Sequence, residues 1–141
     1  MGPLQVVEDT FAAQGFHVLG FFSDDFGTQG GDDGQIDSCN GMYEVSFPEF
    51  TIDHVIDVDG AGPETPQPVW DWLLSQPNPG APATLAPDWN FHKYLISRDG
   101  KLVAHYLRET WPGDDPNDPN DSFESSEIVQ GIEAELAKPA P

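Results

Sequence analysis

Cysteine and basic residues are what this 141-residue chain has least of. It contains one cysteine, Cys39, so no disulfide can form within it. Lys and Arg together number five, against 25 Asp and Glu, which gives a formal charge of −20. Nucleic acids and anionic membranes are bound through basic patches, so neither is an expected partner. No apolar run approaches the roughly 20 residues needed to span a bilayer. Met1-Gly2-Pro3-Leu4 carries neither a basic cluster nor an apolar core of the signal-peptide kind. The expectation is a soluble protein, cytoplasmic by default.

What is present is enough for a modest core. Hydrophobic residues make up 38% of the chain, which argues against wholesale disorder, and the length predicts one domain over 1–141. The acid has two readings. One is a solvated coat, since high charge maintains solubility while repelling itself. The other is cation or basic-partner binding by a non-catalytic module, with Asp115, Asp118 and Asp121 as a possible Ca²⁺ loop that lacks the EF-hand alternation.

Periodicity places the elements. Leu4, Val7 and Phe11 mark a helix over 3–13 that stops at Gly15. Residues 16–22 form a short apolar run, read as a buried strand. A second helix begins near Asp33 and carries Ile36, Cys39 and Tyr43 on one face. Pro48 confines any strand there to an edge or an end. Residues 51–58 read as strand-like. A third helix opens at Thr65-Pro66, with Val69, Trp72, Leu73 and Gln76 facing inward. After a Pro/Ala/Gly loop over 77–87, Asp99-Gly100 joins strands at 91–97 and 102–107 into a hairpin. The last helix runs from Ser122 to Ala137, with Asp121 as N-cap and Ile128, Ile132 and Leu136 as its core stripe. The histidines, at 17, 54, 92 and 105, have no zinc spacing and read as satisfied or exposed. The order of elements is an α/β pattern.

Several segments carry chemistry. Trp89-Asn90-Phe91 sets an indole N–H beside a carboxamide at the start of the hairpin. Upstream stand Gly15-Phe16-His17-Val18-Leu19-Gly20-Phe21, then Ser23-Asp24-Asp25-Phe26-Gly27, then Cys39 followed by Tyr43-Glu44-Val45-Ser46-Phe47-Pro48-Glu49-Phe50, then Val69-Trp70-Asp71-Trp72-Leu73. These five blocks, in this order, resemble the motifs of the glutathione peroxidase family. The resemblance implies a thioredoxin-like fold, a mixed sheet flanked by helices. It implies reduction of hydrogen peroxide or organic hydroperoxides, with thioredoxin or glutathione as reductant and no cofactor. In that family the peroxidatic Cys or selenocysteine lies after the first strand, at the start of the first helix. No residue here matches it, so the first strand and its loop are expected to be missing from this chain, which by itself is expected to be inactive. Trp89 and Asn90 match the family's site residues, and Asp25 stands where the family has glutamine. A carboxylate there would raise a neighbouring thiol's pKa. Cys39 falls at or near the position of a resolving thiol, or is a small buried hydrophobe.

Charge generates one expectation directly. Monovalent salt shortens the Debye length from about 10 Å at 0.1 M to about 3 Å at 1 M, which relieves carboxylate repulsion. The melting temperature should therefore rise from low to molar NaCl. A flat or falling curve would defeat the repulsion reading, and a large gain from millimolar CaCl₂ alone would favour the Ca²⁺ loop instead.

Overall fold

The computed structural model describes residues 1–27, 33–56, 67–80, 82–113 and 122–140. Four helices and two short ladders alternate along the chain: α1 (Gly2–Phe11), β1 (Gly20–Phe21), α2 (Asp33–Tyr43), β2 (Glu49–Phe50), α3 (Pro68–Leu74), β3 (Lys93–Ile96), β4 (Leu102–Tyr106) and α4 (Glu127–Leu136). β1 pairs parallel with β2, stacking Phe21 on Phe50 at 4.4 Å between ring centroids. β3 pairs antiparallel with β4, with Tyr94 opposite His105. The expected single mixed sheet is thus two separate two-stranded sheets among the described residues.

Two clusters of side chains sandwich the ladders. The first joins Val7 and Phe11 of α1, Leu95 of β3, and Ile128, Val129 and Ile132 of α4, with Phe16 and Val18 against it. The second joins Phe26, Val55, Trp70, Leu73, Leu85 and Leu102, with Phe21 and Tyr94 against it. Tyr94 and Leu95 therefore serve opposite clusters, as strand alternation requires.

Polar groups fix the joints. Glu8, buried in α1, accepts from Val18 N–H at 2.7 Å and meets His17 Nδ1 at 2.9 Å. Gln5, also buried, accepts from Ser46 N–H and donates to Ser46 Oγ, both at 2.8 Å. The hairpin turn closes with Gly100 N–H donating to Ser97 O at 2.9 Å, and Gly100 takes φ +75°, which glycine adopts without penalty.

Four expectations change. Residues 51–56 form no strand, because the N–H groups of Val55 and Ile56 donate to the Asp25 carboxylate rather than to a ladder; Asp57 and Val58 lie outside the described residues. The inner face of α3 is Trp70 and Leu73, while Val69 and Trp72 are largely exposed. The helix is rotated by Trp70, which sets its ring edge-on to both Phe21 and Tyr94. The last helix does not start at Ser122. A 3₁₀ turn over Phe123–Ser125 comes first, capped by Ser122 Oγ accepting from Ser125 N–H, and α4 follows at Glu127. Ladder pairing in the 16–22 run is confined to Gly20 and Phe21. Asp121 and the acidic loop before it lie outside the described residues.

Ile132 is 1% exposed at the centre of the first cluster. Ile132→Ala should cost about 3 kcal/mol of unfolding free energy. Val6→Ala, on the half-exposed face of α1, should cost under about 1 kcal/mol. Urea titrations read both, and equal losses would show that the α1–α4 contact is not the core.

Candidate functional site

The hairpin positions the candidate site. Residues 88–91 turn the chain sharply into β3, and Phe91 sits at φ +61°, in the left-handed region that bulky side chains avoid. Such strain costs on the order of 1 kcal/mol or more and persists only where the surroundings hold it. Aromatic contacts hold it here. Trp89 lies against Phe26 at 6.2 Å, and Phe91 against Trp111 at 6.2 Å. The Arg108 guanidinium stands 5.8 Å from the Trp89 ring centroid, and Lys93 Nζ 5.6 Å from that of Trp111. Lys93 also donates to the carbonyls of Leu107 and Arg108, at 3.1 and 3.3 Å, which ties the end of β4 to the start of β3. Burial pulls the Lys93 ammonium down to about 8, with Glu109 acting against the shift. Two of the chain's five basic side chains thus flank the turn. Trp89 and Phe91 keep 38% and 47% of their surface exposed, so the turn presents an open aromatic face.

Asp25 comes close to this turn through its neighbour. Phe26 lies against Trp89, while the Asp25 carboxylate is 1% exposed. Oδ1 meets His54 Nδ1 at 2.6 Å, and Oδ2 accepts from the N–H groups of Val55 and Ile56 at 2.7 and 3.1 Å. Burial disfavours the ionised form, but the hydrogen bonds from Val55, His54, Ser23 and Ile56 outweigh it and hold the carboxyl below its usual range. Cys39, half-buried on α2, is not gathered to Trp89 by any contact described here. It lies instead within electrostatic reach of the Met1 amino group at the N-terminal end of α1. Burial lowers that group's pKa and Cys39 raises it. The structure therefore sets Phe26 against Trp89, and engages the neighbouring Asp25 carboxylate with His54, Val55 and Ile56.

Sequence reasoning read His92 and His105 as merely satisfied or exposed, and gave no role to Lys93, Arg108 or Trp111. The hairpin register held a signal for the first two. A turn at Asp99-Gly100 puts Tyr94 opposite His105, and so His92 diagonal to it. The histidine rings lie 5.4 Å apart and nearly parallel. Among the described residues, no group of three or more His, Cys, Asp or Glu is arranged to hold a metal ion, and no helix is long and apolar enough to cross a membrane.

Asp25 makes a pH-dependent contribution of definite sign. Its pKa in the folded state lies below that of the unfolded chain, so its stabilisation is full above the ordinary carboxylate range and is lost as pH falls through the folded value. Asp25→Asn should cost about 2 kcal/mol near pH 7. The variant and wild type should converge as pH falls through the folded-state value. Urea midpoints measured across this range check it, and a pH-independent difference would show that the carboxylate's charge is irrelevant.

No family model matches the chain. It is 39% identical over 111 residues to the glutathione peroxidase homolog BsaA of Halalkalibacterium halodurans, covering 77% of this chain and 66% of that one. It is 36% identical over 110 residues to the hydroperoxy fatty acid reductase gpx1 of Synechocystis, covering 73% and 61%. To the glutathione peroxidase-like peroxiredoxin gpx1 of Schizosaccharomyces pombe it is 30% identical over 117 residues, covering 82% and 69%. The crystal structure of Trgpx in apo form superposes with a TM-score of 0.66 at 27% identity, over 99% of this chain and 71% of that one. The chain thus spans about two thirds of the length of the curated relatives it matches. The motif order, the thioredoxin-like architecture and these identities agree: the chain belongs to the glutathione peroxidase family.

Proposed function

We propose that the protein is a thiol peroxidase that reduces hydrogen peroxide or organic hydroperoxides, with thioredoxin or glutathione restoring the thiol. The observation that carries this reading is the strained, aromatic-flanked Trp89-Asn90-Phe91 turn with its exposed face, in a chain of this family. In such a reaction a thiolate or selenolate attacks one peroxide oxygen. The O–O bond breaks, water or an alcohol leaves, and a sulfenic or selenenic acid remains. A second thiol then condenses with it, releasing water and forming a disulfide that the reductant's thiols reduce.

The Trp89 indole N–H and the Asn90 carboxamide are assigned to hydrogen-bonding the reacting group, where fixed donors stabilise developing charge. Asp25 takes the place of the family's glutamine as a positioning residue, fixing the loop that sets Phe26 against Trp89. Cys39 is assigned as the resolving thiol. Its nearness to the start of α1, where the family presents its nucleophile, supports that role. The surface is strongly acidic, which favours thioredoxin over the anionic glutathione.

A coupled assay following NADPH oxidation, through thioredoxin and its reductase or through glutathione and its reductase, tests the reading. In the gene's whole protein product, Trp89→Phe and Asn90→Ala should each lower kcat/KM by roughly 10²-fold; unchanged turnover in both would overturn the site. The 141-residue chain, whose one thiol is Cys39, should turn over little peroxide. Turnover by that chain that Cys39→Ser abolishes would make Cys39 the peroxidatic thiol instead.

A further inference from the structure

His92 follows the Trp89-Asn90-Phe91 turn directly, and its side chain is 2% exposed. Its imidazole stacks on Tyr94 at 4.8 Å and on His105 at 5.4 Å. The partners of this pair decide where its protons lie. Gly80 N–H donates to Asn78 Oδ1 at 2.9 Å, and Asn78 Nδ2 donates to Pro82 O at 3.0 Å, which fixes the orientation of the Asn78 amide. His105 Nε2 therefore faces two acceptors, Asn78 Oδ1 at 3.3 Å and Pro82 O at 3.1 Å, and carries the proton. Burial lowers the His105 pKa, so near pH 7 the ring is neutral and its Nδ1 is an acceptor. His92 Nε2, 3.2 Å away, must then be the donor. A neutral imidazole has one N–H, so His92 Nδ1 is left as a lone pair. That nitrogen is buried and has no hydrogen-bond partner among the described residues. It lies 3.9 Å from Asp88 Oδ1, too far for a hydrogen bond, with lone pair facing lone pair. Asp88 is half exposed and immediately precedes Trp89.

We propose that His92 is a positioning residue for the Trp89-Asn90 turn: the relay from Pro82 through His105 holds its Nδ1 as acceptor, and a proton taken up there draws Asp88 into a charge-assisted hydrogen bond that resets the turn. The proposal rests on Trp89 and Asn90 being the site residues. Protonation gives His92 a second N–H at Nδ1, with the Asp88 carboxylate 3.9 Å away to take it. Four titratable groups face the ring. His105 and Lys93 oppose the proton, Asp88 favours it, and Tyr94 stays neutral because burial raises its pKa. Burial and these charges bring His92 down to about 4. The latch is therefore open at neutral pH and closes in acid.

Imidazole ¹⁵N NMR on the 141-residue chain tests this. At pH 7 both His92 and His105 should show the Nε2–H tautomer. On acidification the Trp89 indole resonance, assigned by its loss in Trp89→Phe, should move with the His92 midpoint. Asp88→Asn should lower that midpoint by about one pH unit and hold the Trp89 resonance still. His105→Gln, whose amide can both accept from His92 and donate to Pro82, should preserve the His92 tautomer, whereas His105→Leu should lose it. A His92 Nδ1–H tautomer at pH 7 overturns the proposal whatever the acid stability of the fold. So does a Trp89 resonance unmoved while His92 titrates, or an Asp88→Asn midpoint equal to wild type. These readouts need no turnover, so an inactive whole protein with an intact latch would remove the peroxidase reading alone.

Discussion

Leu95 packs into the α1–α4 cluster while its neighbour Tyr94 packs into the α3 cluster, and Leu102 across the turn joins the second as well. A four-residue strand with an apolar cluster against each face is the constraint on which the remaining architecture depends. The helices contribute apolar stripes that must be covered, and the hairpin is the surface both stripes meet. At about 25 cal/mol per Å² of apolar surface, covering both faces is the largest stabilising contribution available to a chain of this size. The register that serves both clusters cannot slip by one residue without exchanging every side chain between them.

The site inherits its rigidity from that arrangement. The chain must enter β3 with Tyr94 and Leu95 already assigned to their clusters, so the turn before it has little freedom. Phe91 absorbs the reversal in an unfavourable backbone conformation against Trp111, while Trp89 packs on Phe26. Lys93 adds a second tie by bonding the carbonyls that close β4, which brings Arg108 over the Trp89 ring. The result is a half-exposed indole beside a carboxamide, on a turn held by packing at both ends.

Buried polar side chains connect the parts that apolar packing leaves loose. Asp25 reaches across 30 residues to take the backbone donors of Val55 and Ile56. Glu8 and Gln5 do the same between α1 and the segments before β1 and β2. In a chain of charge −20 these are acids and amides turned inward and satisfied, while most of the other carboxylates among the described residues are exposed. The inward groups therefore specify geometry, and the outward ones set how the molecule meets salt and partners.

By itself the sequence determined the elements whose cause is local. Gly15 ends the 3₁₀ turn that follows the first helix, Asp99-Gly100 makes the hairpin, Pro48 limits the strand beside it, and the spacing of Val7, Phe11, Ile128 and Ile132 marks faces that are buried. The family was legible too, because its motifs are contiguous blocks. Tertiary structure decided whatever depended on a partner far along the chain. α3 holds seven residues with apolar side chains on every side, so periodicity could not say whether Trp70 or Trp72 faces inward; Phe21 and Tyr94 decided it. Residues 51–56 have the composition of a strand but lose ladder donors to Asp25. The surroundings of His105 required Asn78 and Pro82, more than 20 residues before it, to present two acceptors to one nitrogen. Hydrogen-bond partners of this kind are fixed by distance in space, which residue order does not encode.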